Sequence, residues 1–174
     1  MGARQITGID IGHESVTCIV ASRGKGGLVV ESCHVTQLDL SAGADEGAWG
    51  AAVTKALSAW KKDGIITDSP ACISAPAHHT LVRDLKMPAA NVEEQLSAEA
   101  RQKLPFDLDL LVWDSAAVGT AGDDSQIMLA AVKKDVIDTV LALCADAGVN
   151  VGTIGVGAMA LGNLVLHQEG GSCA

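Results

Sequence analysis

The residues best placed to do chemistry gather near the start of the 174-residue chain, in Gly8-Ile9-Asp10-Ile11-Gly12 and the His13-Glu14-Ser15 that follow. A carboxylate near the end of an apolar run, then a glycine and polar residues, describes an ordinary β-hairpin turn, and Asp-Ile-Gly alone has little specificity. His78 and His79 invite a metal reading. On a strand, however, adjacent side chains point to opposite faces, and no third ligand lies nearby in sequence, so both read as polar hinge residues. Cys18, Cys33, Cys72, Cys144 and Cys173 lack metal-ligand spacing. Most sit in apolar runs, where a free thiol behaves as a small hydrophobe, and a reducing cytoplasm is the simpler reading. Trp49 and Trp60 fall on a helical apolar stripe and Trp113 in a strand-like run, which makes them core residues rather than ligand platforms. Glu93, Glu94 and Glu99 read as a solvated helix face.

Composition bounds what these residues can serve. Hydrophobic residues make up 48% of the chain, enough for one globular domain with a core, or one domain with a small insert. The 21 acidic residues against 12 basic ones argue against a nucleic-acid partner, because neutralising phosphates takes a clustered excess of Lys and Arg. Lys61-Lys62 and Lys133-Lys134 are isolated pairs. The N-terminal Met-Gly-Ala-Arg-Gln lacks the order of a signal peptide, and no run is long enough to span a bilayer. Work at a membrane would need a partner to hold the protein there.

The elements that position the Asp10 turn can be read in order. Residues 4–11 and 15–22 are β-branched, apolar runs joined by Gly12-His13-Glu14 as a tight hairpin. A third strand, 28–38, follows the turn-forming Arg23-Gly24-Lys25-Gly26-Gly27. Trp49, Ala52, Val53, Ala56, Leu57 and Trp60 recur at steps of three and four, predicting an amphipathic helix over 45–62 that ends near Gly64. Residues 71–75 form a short buried strand.

The pattern then changes. Residues 81–87 are extended up to Pro88. Asn91 and Glu94 have the spacing of a capping pair for a helix with the stripe Val92, Leu96, Ala100, stopped by Pro105. Residues 108–118 and 126–132 form a hairpin through Gly119–Asp124. A helix over 135–147 ends at Gly148, a strand covers 151–156, and a last apolar helix covers 158–167 before the tail from Glu169 to Ala174. Without the β-α-β-β unit, the order is β-β-β-α-β-α-β-α. It predicts a mixed five-stranded, ribonuclease-H-like α/β sheet with helices on both faces. The expected domains are 1–79 with 133–174, and an inserted 80–132.

With these elements in place, Gly8-Ile9-Asp10-Ile11-Gly12 is similar to the first phosphate loop of the actin, Hsp70 and sugar-kinase superfamily. An insert after the fourth strand resembles the FtsA and PilM branch, whereas the other branches insert after the third. Met87-Pro88 to Leu104-Pro105-Phe106-Asp107, then Val112-Trp113-Asp114 and Met128-Leu-Ala-Ala-Val-Lys-Lys-Asp135, resemble the PilM-type pattern. So does Ala147-Gly148-Val149 leading to Val156-Gly157-Ala158-Met159-Ala160-Leu161. The resemblance spans nearly the whole chain and favours PilM over FtsA. It implies an actin-like ATPase half, subdomain 1A carrying an SHS2-type subdomain 1C, with a second phosphate loop expected beyond Ala174.

The resemblance also implies a chemistry. Carried over by position, Asp10 would orient hydrated Mg²⁺, while Gly12, His13, Glu14 and Ser15 would cradle the phosphates of ATP. Gly12 suits this because a Cβ would obstruct the approach of a phosphate. The family usually has Thr or Ser after the last glycine, and often a basic residue at the position of Thr17; here stand His13, Glu14 and Thr17. A carboxylate 4 Å from a phosphate charge costs on the order of 1 to 4 kcal/mol, so the resemblance requires Glu14 to point away. With one phosphate loop no second wall excludes water, and the chain by itself is expected not to hydrolyse ATP.

The implied partner is the cytoplasmic N-terminal tail of a PilN-like bitopic inner-membrane protein, docking near 75–83 and 133–137. The implied role is a cytoplasmic scaffold of type IV pilus assembly, peripheral to the inner membrane. An FtsA-like division protein, a type II secretion platform domain and a sugar or acetate kinase of the superfamily are the other readings. The kinase is disfavoured by the position of the insert.

Overall fold

The computed structural model describes residues 4–24, 27–41 and 44–168. The tail from Glu169, including Cys173, lies outside the described residues, as do Met1 to Ala3 and the Lys25-Gly26 of the expected turn.

Among the described residues, eight strands and four helices follow one another as β1 (Arg4–Ile11), β2 (Ser15–Gly24), β3 (Gly27–Gln37), α1 (Glu46–Lys62), β4 (Ala71–Ala75), β5 (Thr80–Pro88), α2 (Val92–Lys103), β6 (Leu111–Ala121), β7 (Asp124–Lys133), α3 (Lys134–Asp146), β8 (Val151–Val156) and α4 (Gly157–Gln168). By contact they divide into one unit of 1–77 with 138–157 and a second of 78–137 with 158–174.

The first unit holds a mixed sheet of order β3-β2-β1-β4-β8, the five-stranded layer anticipated from the element order. β1, β2 and β3 pair antiparallel, and β1-β4 and β4-β8 pair parallel. Strand period 2 sorts the residues. Ile9 and Ile11 of β1, Val16, Cys18 and Val20 of β2, and Ile73 of β4 turn to one face. There they meet Val53, Leu57 and Trp60 of α1 with Val140 and Cys144 of α3 in one buried cluster. Within this unit α1 and α3 cover that same face, while Ile6, Ile19 and Val35 alternate to the other and stay exposed.

Local signals set the helix ends. Asp45 caps α1, its carboxylate accepting the Ala48 N–H at 2.8 Å, with Glu46 in the first turn and Lys61 and Lys62 in the last. Gly64, at φ +75°, supplies the left-handed turn after the helix, and Gly148, at φ +70°, does the same after α3.

The second unit contains the antiparallel sheet β5-β7-β6. Leu85, Met87, Ile127, Leu129 and Ala131 of its strands pack against Ala100 of α2 and Leu104 just beyond it. Three local expectations change. Residues 108–110 form a 3₁₀ turn rather than the start of a strand, and β6 and β7 run on to a two-residue turn, with Gly122 at φ +67°. The strand argument for His78 and His79 fails. They sit in a 3₁₀ turn (Ala77–His79), and their ring centroids lie 4.1 Å apart. The side chains of Asn91 and Glu93 lie outside the described residues, so the expected capping pair does too.

Burial separates the thiols. Cys18 and Cys144 are fully enclosed, whereas Cys33 and Cys72 are exposed. Burial pushes the Cys18 thiol up from 9.0 to about 11, with a further push from Cys33, and burial also raises Cys144. The folded state therefore keeps a proton that the unfolded chain releases, so this contribution to stability is complete below pH 9.0 and is lost as pH rises through about 11. In maleimide labelling at neutral pH read by peptide mass, Cys33 and Cys72 should react in the native protein, and Cys18 and Cys144 only after unfolding. Labelling of Cys18 at the rate of Cys33 would contradict the packing.

Candidate functional site

Three parallel strands, β1, β4 and β8, end side by side, and Asp10 stands one residue before the end of β1. Open α/β sheets bind ligands at such carboxyl ends. Asp10 lies opposite Thr17 on β2 and opposite Ser74 on β4. Its alternation places it on the face away from α1 and α3, and its side chain is exposed. Ser74 is half-buried, its hydroxyl donating weakly to the Ala75 carbonyl at 3.4 Å.

Gly157, directly after β8, completes this group. A Cβ built there would stand 2.7 Å from Ser74 Oγ and 3.8 Å from Asp10 Oδ1. A side chain there would collide with the serine hydroxyl, so only glycine lets this backbone pack against Ser74 and close to Asp10.

The adjoining turn is held at several points. The Gly12 N–H donates to the Ser15 carbonyl at 2.9 Å, the Leu38 N–H donates to the Glu14 carbonyl at 2.7 Å, and the indole N–H of Trp49 donates to the Gly12 carbonyl at 3.1 Å. The side chains of His13 and Glu14 are exposed, and those of Ser15 and Thr17 half-buried. All six residues proposed from sequence, Asp10, Gly12, His13, Glu14, Ser15 and Thr17, thus lie at the first hairpin, with Asp10 and Thr17 directly cross-strand. A basic residue in place of Thr17 would face Asp10.

Sequence reasoning missed Ser74, Gly157 and the second task of Trp49. The indole does pack against the core as expected, but it also reaches a carbonyl 37 residues earlier. Ser74 and Gly157 become neighbours of Asp10 only through parallel pairing. The one available signal was that 74 and 157 each sit near the end of a predicted strand.

In the second unit, two segments of the PilM-type pattern touch each other. The Lys133 ammonium sits 4.4 Å from the centre of the Phe106 ring, and Lys134 Nζ donates to the Asp109 carbonyl at 2.6 Å. Cation–π attraction and a charge-assisted hydrogen bond tie the end of β7 to the loop after α2.

Glycine geometry yields a paired test. At Gly12 a Cβ would meet the Ser15 backbone oxygen at 2.9 Å, while at Gly8 it would meet nothing within 4 Å. Gly12→Ala should lose about 1 to 3 kcal/mol in urea unfolding, because backbone must give way. Gly8→Ala should stay within about 0.5 kcal/mol or gain, since the site is open and the unfolded chain loses freedom. Equal effects of the two changes would contradict this geometry.

Comparison with known proteins places the chain. No curated protein matches its sequence. Among solved structures, it is similar to a protein of the "PilM-PilN type IV pilus biogenesis complex", at TM-score 0.74 and 19% identity, over 94% of this chain and 51% of that one. It is also similar to the cytoplasmic domain of EpsL, an inner-membrane component of the Vibrio cholerae type II secretion system, at TM-score 0.56 and 10% identity, over 87% and 57% of the two chains. Identities this low carry the fold alone, and the chain spans about half the length of these two structures. The family described as type IV pilus assembly protein PilM matches residues 8–168, from the Asp10 turn to the end of α4. The chain belongs to the PilM family of type IV pilus assembly proteins.

Proposed function

We propose that this chain acts in a pilus-assembly scaffold that takes Mg–ATP at the Asp10 turn and binds the N-terminal cytoplasmic tail of a PilN-like inner-membrane protein. The observation that carries this reading is the family match, which runs through both the turn and the β5–β7 unit. No helix among the described residues is long and apolar enough to cross a membrane. A cytoplasmic location, peripheral to the inner membrane through the partner, follows from this reading. The partner assignment draws on the solved complex, whose description names PilM with PilN. The segments around 75–83 and 133–137, where the chain passes from one unit to the other, are the proposed contact region.

The residues present fit a metal-bound phosphate. An exposed carboxylate stands near the end of the strand, the Gly157 backbone lies close beside it with no side chain between, and backbone of residues 12–15 follows. When bound, Mg²⁺ supplies positive charge that neutralises phosphate oxygens. Asp10 would orient the metal's water shell, the Ser74 hydroxyl would supply a polar neighbour, and the turn's backbone would receive the phosphates. Glu14 is exposed, so its charge can be solvated, and its repulsion falls toward the water limit of about 1 kcal/mol at 4 Å. The role is assembly, with nucleotide as a ligand rather than a substrate turned over by this chain.

Two measurements follow. Calorimetry of the complete polypeptide should show Mg–ATP binding that Asp10→Ala weakens about tenfold or more, as loss of a charge-assisted contact would. No heat at millimolar ATP would contradict the nucleotide part. Separately, a peptide of the PilN-like tail should co-purify with the protein and be lost on deletion of residues 80–132. Retention after that deletion would contradict the proposed contact region.

A further inference from the structure

Trp49 has an unusual place for a residue of an amphipathic stripe. Its ring packs against the core of the first unit, yet it remains half-exposed and spends its one donor on the Gly12 carbonyl at 3.1 Å. The donor itself is well anchored. Trp49 lies in the first turn of α1, where its own N–H donates to the Asp45 carbonyl at 3.0 Å and Asp45 caps the neighbouring Ala48. One residue on, Gly50 is buried so close to α3 that a Cβ would stand 3.2 Å from Leu143 Cδ2. The indole is therefore fixed by a cap on one side and a helix contact on the other.

The receiving end is the Gly12–Ser15 turn, which the Leu38 N–H also holds through the Glu14 carbonyl at 2.7 Å. Its two central side chains, His13 and Glu14, are exposed. Below them the hairpin is closed by Gly12 N–H to Ser15 O, and the Gly12 carbonyl points its bond to Trp49. Rotation of the Gly12–His13 peptide would break that bond and move the following amide with it, since carbonyl and amide share one rigid plane.

We propose that Trp49 is a positioning residue of the phosphate turn: its indole N–H locks the Gly12–His13 peptide and so sets the affinity of the turn for the phosphates of Mg–ATP. The inference rests on the nucleotide reading above. A preformed anion site gains because its donors need no reordering at the moment of binding. Packing alone would be served equally by phenylalanine, which lacks the donor.

The test compares the unmodified protein with Trp49→Phe, and with Trp60→Phe as a buried control on the same helix. Loss of one neutral hydrogen bond should weaken Mg–ATP binding about fivefold in Trp49→Phe. Amide hydrogen exchange at residues 12–15 should accelerate by a similar factor, with β5–β7 unchanged. Trp60→Phe should lower the melting temperature yet leave both readouts where they were. In protein carrying 5-fluorotryptophan, the ¹⁹F resonance that vanishes in Trp49→Phe should shift when Mg–ATP is added. Unchanged affinity and unchanged turn exchange in Trp49→Phe would overturn the inference while leaving the nucleotide reading intact. An unmodified protein that takes no Mg–ATP would overturn the nucleotide reading, and with it the ligand assigned to this turn.

Discussion

Parallel pairing of β1 with β4 and of β4 with β8 is the constraint on which the rest of the first unit depends. Antiparallel neighbours can be joined by a short turn, as β1 and β2 are by Gly12-His13-Glu14, but parallel neighbours need a crossover. The chain builds α1 between β1 and β4, and β5, α2, β6, β7 and α3 between β4 and β8. These crossovers have a chemical consequence. They bring Asp10, Ser74 and Gly157, scattered over nearly the whole sequence, to one end of the sheet, where a strand-end carboxylate and a hydroxyl lie cross-strand beside a glycine backbone. Slipping β4 by one residue would turn Ser74 to the helix-covered face and Ile73 to the open one. Burial of Ile73 therefore fixes the register of the site.

The two faces of that sheet divide the labour. One is sealed by α1 and α3 around Ile9, Ile11, Val16 and Leu57, which supplies stability. The other bears Asp10, Thr17 and Ser74, cross-strand neighbours at the end of β1. Trp49 links the two, since its ring belongs to the core and its donor to the turn. The second unit has its own core of Leu85, Leu129 and Leu104, and the Lys133 ammonium sits over the Phe106 ring.

Much of this was legible in residue pattern. The period-2 runs of β1 and β2, the three-and-four spacing of α1, and the glycines at 64 and 148 are local signals, and local physics decided them. The Asp10 turn was legible because its residues are contiguous. Ser74 and Gly157 were not, because a serine in a short strand and a glycine after another carry no mark of their partner. Trp49 was half legible: helical spacing placed its ring, but nothing local directs an indole N–H to a carbonyl 37 residues away. The histidines misled for a related reason. Alternation applies to a strand, and a 3₁₀ turn brings consecutive rings together. Residues 108–110 read as strand from their apolar content, although the turn that includes Leu108 packs into the core as a 3₁₀ piece.

On the reading proposed above, this PilM-family chain keeps a phosphate-binding end where β1, β4 and β8 finish side by side. Mapping backbone amide shifts by ¹⁵N nuclear magnetic resonance during a Mg–ATP titration addresses it most directly. Shifts should centre on residues 10–15, Ser74 and Gly157, and leave β5, β6 and β7 unmoved. Shifts confined to the β5–β7 unit, or none at millimolar nucleotide, would contradict it.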